Sequence, residues 1–424
     1  MKVLVESQHD LPLVEVQVLV GSGPAHDPRG KEGLARHAFE LMRRNAGGRS
    51  RTEVDDLIDA LGAVVEVSAA RDAIGLHVTC LARNLEAVLA LASDALLRPR
   101  FDLDEHEQLR REELAALDDL RDDDGALVGR FYDRLALPGH PYGRSALGTA
   151  ASLGSLALRD VEGWLATHVV RDNLLVGFAG DVDAARARAL AAVAFGPAAD
   201  RAAPARLGFP PLAVAPGRHT YLVDKPDRTQ SQIIVGHAAP ELAHPDFLAC
   251  QVAGGAFGGN FSSRLMQEVR VKRGWSYGAS FGIVRARGPH SFRLRCAPAA
   301  EQTADTLALV LQLWEEAVAG GLGVDEIEHA KAYIEGGFAF DTETAGARLD
   351  QRLGLETYGL PADTLDTFVA RLRAVDAGAA NAAARRFWHP DSAVTVLVAT
   401  AEDMLPRLQG LPLGEVTVLP YDED

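Results

Sequence analysis

Cysteine, lysine and long apolar runs are all scarce in this chain. Three cysteines, Cys80, Cys250 and Cys296, are too few for a disulfide framework, and none forms a CxxC pair. A reducing compartment is the default reading. No uninterrupted apolar run approaches the roughly 18 residues of a membrane span. The opening Met1-Lys2-Val3-Leu4-Val5-Glu6 meets an acid before an apolar leader core can form. The expectation is a soluble, cytoplasmic protein with no membrane partner. Only five of the 43 basic side chains are lysine, and with the heavy alanine usage this looks like GC-rich coding rather than mechanism.

What is present is an ordinary globular balance. Hydrophobic residues make up 47% and charged residues 24% of 424 positions, enough for two to four domains with filled cores. Acids outnumber bases by 59 to 43, a net charge of -16, which argues against nucleic acid or anionic lipid as partner. An acidic surface suits neutral or basic partners, including positively charged peptides.

The order of elements repeats. Leu13–Val20 alternates and predicts a strand, followed by helical stretches over about 30–44 and 52–61. Residues 64–70 and 74–81 predict paired strands, and long helices follow over about 84–97 and 103–121. In the second half, 221–223 and 233–237 predict strands and 244–256 a helix. Residues 277–284 and 291–296 predict another strand pair before a helix over 302–319. Cys80 and Cys296 each close a strand ahead of a helix, and Arg171-Asp172-Asn173 corresponds to Pro390-Asp391-Ser392 ahead of apolar strands. Two markers in register predict a duplication: an α+β protein of two homologous domains, each a mixed β-sheet with helices on one face. The Pro/Ala/Gly-rich stretch 196–216 predicts the join, with domains at 1–200 and 218–424 and a linker at 201–217.

The most informative segment runs Gly33-Leu34-Ala35-Arg36-His37-Ala38-Phe39-Glu40-Leu41-Met42. It resembles the inverted zinc motif HxxEH, in which two histidines four apart on one helical face share a metal and the glutamate activates water. With Gly21-Ser22, Asp27-Pro28, Leu61-Gly62-Ala63, His140-Pro141-Tyr142-Gly143, Gly148-Thr149 and Gly180-Asp181, the chain resembles the M16 (pitrilysin/insulinase-type) zinc metallopeptidases. The resemblance implies that family's two-domain metallohydrolase fold, shared with LuxS-like proteins, in a clamshell arrangement. His37 and Glu40 stand at the first ligand and the base. Leu41 occupies the second ligand position, and leucine cannot coordinate a metal. The family's third ligand is a Glu some 75–80 residues on; the equivalent segment is read as 114–120, offering Asp119, with Glu112 as a supporting acid. Catalytic zinc needs three protein ligands, so the resemblance implies no metal in this chain.

The second half departs less. Gly254-Gly255-Ala256-Phe257-Gly258-Gly259-Asn260 leads through Arg270 to Gly274-Trp275-Ser276-Tyr277. This is similar to the family's C-domain signature, in which an arginine and a tyrosine seven apart contact the peptide backbone and the oxyanion. By position these are Arg270 and Tyr277, a guanidinium and a phenol suited to stabilising developing charge. The glycines Gly254, Gly255, Gly258 and Gly259 permit close backbone approach to an extended peptide. There is no GK[ST] ending for phosphate and no GxSxG nucleophile elbow.

A broken zinc half-site beside an intact Arg/Tyr half-site implies a noncatalytic, zinc-less subunit, inactive alone. It would supply Arg270 and Tyr277 in trans to an HxxEH-bearing M16 partner that holds the zinc, as in the alpha subunit of mitochondrial processing peptidase. The heterodimer would hydrolyse or process unfolded or basic peptides. The alternatives are a non-enzymatic peptide-binding or structural subunit like the respiratory core proteins, and an active homodimeric zinc peptidase with an altered metal site.

Overall fold

The computed structural model describes residues 1–423, which form two sheets of closely matched topology. The first contains β1 (Lys2–Ser7), β2 (Leu13–Val20), β3 (Val64–Ala69), β4 (Ile74–Leu81) and β5 (Leu174–Gly180), in the order β1-β5-β2-β4-β3. Only β1 and β5 run parallel; the other pairs are antiparallel. The second contains β6 (His219–Asp224), β7 (Gln232–Ala238), β8 (Ser276–Ile283), β9 (Ser291–Pro298), β10 (Val394–Ala399) and β11 (Glu415–Pro420). Its order is β11-β6-β10-β7-β9-β8, with β6 parallel to both β10 and β11. Without β11, the second sheet repeats the first strand for strand. Cys80 lies in β4 and Cys296 in the equivalent β9, and the short turns Arg171–Asn173 and Pro390–Ser392 precede the equivalent β5 and β10. The mixed α/β architecture with two sheets is therefore that of the expected repeat.

The chain does not divide at one point. One unit gathers residues 1–117, 144–208 and 339–362; the other gathers 118–143, 209–338 and 363–424. The helix Asp124–Ala136 thus belongs with the second sheet, and the helix Ala345–Tyr358 with the first, each on the far side of the 201–217 segment expected to separate the domains.

Period-two burial explains this arrangement. In β5, Val176 and Phe178 face the main core with the helices Leu34–Arg44, Leu85–Leu97 and Leu158–His168, while Leu175 and Ala179 face Leu349 and Leu353 of Ala345–Tyr358. Gly177 sits under that helix, and a Cβ there would lie 2.8 Å from Leu349 Cδ1, so glycine sets the approach. In the second sheet Ile233, Val235 and Leu397 face the larger core with Trp314 and Trp388. On the opposite face, Ile234, Val396 and Val398 meet Leu127, Val128 and Tyr132 of Asp124–Ala136. Each sheet therefore carries most of its helices on one face and a single helix on the other. Among the described residues no single helix is long and apolar enough to cross a membrane.

Candidate functional site

The helix Leu34–Arg44 starts at a buried cap. Asp27 Oδ2 accepts the backbone N–H of Gly33 at 3.0 Å, and Oδ1 accepts that of Ala35 at 2.9 Å. Burial pushes the Asp27 carboxyl up to about 7, against the two N–H donors and Arg144. This cap fixes the first turn that carries His37.

His37 is fully buried and both its ring nitrogens are engaged. Nδ1 lies 2.6 Å from Glu113 Oε2, and Nε2 lies 2.8 Å from His106 Nδ1. The two imidazoles stand nearly perpendicular, 4.8 Å apart. His106 Nε2 donates to the Leu156 carbonyl at 3.3 Å, and burial holds the His106 pKa below the ordinary histidine value. With its proton on Nε2, neutral His106 presents Nδ1 as an acceptor, so His37 donates from Nε2. One proton then lies between His37 Nδ1 and Glu113.

The other members of the motif are arranged for packing. Leu41 is fully buried in the core of the first unit. Glu40 is half-buried and faces Arg43 Nε at 3.7 Å. Glu112 pairs with the buried Arg44, which holds the Glu112 carboxyl below its usual range. Asp119, expected at the third ligand position, is exposed near the end of the helix Leu103–Leu120. The carboxylate on His37 is Glu113 instead. It lies 76 residues beyond His37, inside the expected spacing but one residue ahead of the segment taken as equivalent.

These residues do not fit zinc. A zinc ligand must offer a lone pair, and three must converge at about 2.0–2.2 Å. Glu113 and His106 sit on different nitrogens of the same His37 ring, so they cannot share one ion with it. Leu41 offers no donor, and no cluster of three or more His, Cys, Asp or Glu able to hold a metal occurs among the described residues.

The second unit presents a different site. After the helix Phe247–Gly258 the chain makes a π-helical turn, Met266–Val271, closed by Lys272 N–H donating to the Gln267 carbonyl at 2.9 Å. Such turns widen the backbone and reorient side chains, often at functional positions. This one carries Arg270, whose guanidinium lies 4.2 Å over the Tyr277 ring and 5.1 Å from that of Phe261. Tyr277 is 84% and Phe261 59% exposed, so both rings stand largely in solvent apart from the faces that Arg270 covers. The nearby Glu268 is committed to Lys272 and Arg273. The Arg270 guanidinium makes no hydrogen bond or ion pair among the described residues.

Tyr277 and Phe261 border a cleft of about 480 Å³ with a largely apolar lining, between the start of β8, the ends of β7 and β9, and the helix Asp124–Ala136. Of the expected substrate-side glycines, Gly258 and Gly259 line it. Gly254 instead packs against Phe281 and Gly255 against Ile334 and Ala330 inside the unit. At Gly258 a Cβ would lie 2.5 Å from the Phe281 backbone nitrogen, so its lack of a side chain lets the helix end meet β8. His106 and Glu113 were beyond motif reading; the signal available for Glu113 was its spacing from His37.

Comparison with known proteins matches one family model to each half of the chain. The family model described as Insulinase (Peptidase family M16) matches residues 2–150, and that described as Peptidase M16 inactive domain matches residues 155–334. An uncharacterized zinc protease of Mycobacterium leprae is 26% identical over 84% of this chain and 79% of its own length. A protein of Helicobacter pylori named as a non-peptidase homolog is 21% identical over 88% of this chain and 85% of its own. The crystal structure of a peptidase M16 inactive domain from Pseudomonas fluorescens superposes with a TM-score of 0.86, at 22% identity, over 93% of this chain and 94% of that one. With both family models matched in order over well over half of its residues, the chain belongs to the M16 peptidase family.

Proposed function

We propose that this chain is the metal-free member of an M16-type peptidase pair, binding peptide and lending Arg270 and Tyr277 to the site of a partner that carries HxxEH and the zinc. The observation that carries the reading is the free Arg270 guanidinium, stacked on the exposed Tyr277 ring beside the cleft. Stacking on Tyr277 and Phe261 orients the guanidinium without using its N–H donors. Five guanidinium N–H groups and one phenol O–H remain to donate to a peptide carbonyl and to the negative charge that grows on it. The His37 ring is held between Glu113 and His106, which supports assigning the metal chemistry to the partner.

The test is turnover of an unfolded peptide by a complex with an HxxEH-bearing homologue. Arg270→Ala in this chain should lower turnover by about 10²-fold or more, as for loss of an oxyanion donor. A complex that keeps full activity with Arg270→Ala contradicts the proposal.

A second reading, a peptide-binding or structural subunit without turnover, is supported by the inactive-domain description of the family model and by the name of the Helicobacter pylori relative. It predicts that mixing with an HxxEH homologue yields no activity beyond that of the homologue alone. The spread of donors around His37 speaks against a homodimeric zinc peptidase.

A further inference from the structure

The cleft beside Tyr277 has a bias that the whole-chain charge conceals. Acids outnumber bases by 59 to 43 over the sequence, yet no Asp or Glu lines the cleft, and its one charged lining residue is Arg295. Arg293, two residues earlier on the same face of β9, is buried and committed to Asp133 and, through Nε, to Ser291 Oγ at 3.0 Å. Arg295 is exposed and its guanidinium makes no hydrogen bond or ion pair among the described residues. The strand register places Ser280 of β8 and Ile234 of β7 directly beside it. Val128 closes the apolar side of the cleft, and Arg270 stands over Tyr277 at its rim, also without an acid. A guanidinium against apolar walls, whose only acid near enough to act on it, Asp133, is already held by Arg293, is a site for a carboxylate, which it can meet with two parallel N–H bonds.

We infer that the cleft selects an extended peptide segment with an acidic side chain between apolar ones, its carboxylate pairing with Arg295 and its apolar neighbours lying against Val128 and Ile234. The inference rests on the peptide-binding reading above and names its substrate class. Arg295 is thus a specificity-determining residue. The net charge of -16 is carried elsewhere and does not govern what enters here.

The experiment is a fluorescence-anisotropy titration of the full chain with three labelled octapeptides. The first alternates Leu and Glu and has an amidated C-terminus. The second is its Leu/Gln twin, also amidated, and the third is the Leu/Gln sequence with a free C-terminal carboxylate. The Glu peptide is expected to bind at least about tenfold tighter than its amidated Gln twin, in line with a charged hydrogen bond. In Arg295→Gln, checked for a native circular-dichroism spectrum, the two amidated peptides should bind alike. Equal binding to the wild-type chain overturns the inference and leaves peptide binding standing, as does a preference that survives Arg295→Gln. Tight binding of the free-carboxylate peptide alone overturns it in favour of a chain-end site. Binding of none of the three overturns the peptide-binding reading as well.

Discussion

His237 should make the second unit acid-labile. Its ring lies in β7, stacked on Trp314 with centroids 5.3 Å apart and planes 9° from parallel. Nε2 accepts the backbone N–H of His389 at 2.9 Å, and Nδ1 meets the Ala238 carbonyl at 2.8 Å. One nitrogen must therefore accept and the other donate, which only the neutral ring can do. Protonation would aim an N–H at an N–H, and burial lowers the pKa from 6.5 to about 4. In the unfolded chain the histidine takes its proton near 6.5, so below that pH the unfolded state binds more protons. Stability is then complete above about pH 6.5 and falls as pH drops, by about 1.4 kcal/mol per unit and roughly 3 kcal/mol by pH 4. His237→Phe keeps the aromatic stack but strands the His389 N–H, costing about 1–3 kcal/mol at pH 7.5. Because the variant cannot titrate here, that deficit should shrink steadily toward pH 4.5. Urea unfolding followed by tryptophan fluorescence, on both proteins across this range, gives the difference free of other titrating groups. A deficit that stays constant from pH 7.5 to 4.5 would mean that His237 takes up its proton equally well in the folded and unfolded chain.

Two further substitutions probe the two sites. Leu41→His restores the letters of HxxEH, but position 41 is fully buried and His37 is held by Glu113 and His106. It should destabilise the chain by about 2–5 kcal/mol in urea and gain no stability from added zinc, through lost packing and a buried polar ring; zinc-dependent stabilisation would contradict the geometry. Gly258→Ala should cost about 1–3 kcal/mol, because the new methyl meets the Phe281 backbone, a neighbour that cannot rotate away. A thermal melt matching the wild type would show that the helix end and β8 separate easily.

Local signals in the sequence carried much of the fold. The alternation in Leu13–Val20 and the apolar pattern of Ile74–Leu81 match β2 and β4 residue for residue, because each strand faces a core whose period is written in its own side chains. The pairing of Cys80 with Cys296 marks equivalent strands for the same reason. The helix Asp124–Ala136 was not legible: it follows the acidic run 122–124 and carries Gly125 and Gly129, so its propensity is poor. It is held by Val128 and Tyr132 packing on strands a hundred or more residues away. Grouping of Ala345–Tyr358 with the first sheet is equally non-local. At the candidate sites the residue types were legible and their partners were not. His106 and Glu113 reach His37 from a separate helix, and the π-helical turn that lays Arg270 over Tyr277 has no sequence signature. The apolar, acid-free lining of the cleft depends on which strand face lies open, so a whole-chain charge could not reveal it.

A metal-free His37 half-site beside an open Arg270–Tyr277 half-site is what separates this chain from a self-sufficient zinc peptidase. Zinc per chain, measured by elemental mass spectrometry on protein purified without chelators, decides between the two. The expected value is near zero, with no rise after incubation with equimolar zinc and removal of the free ion. A value near one per chain, lost on His37→Ala, would contradict it.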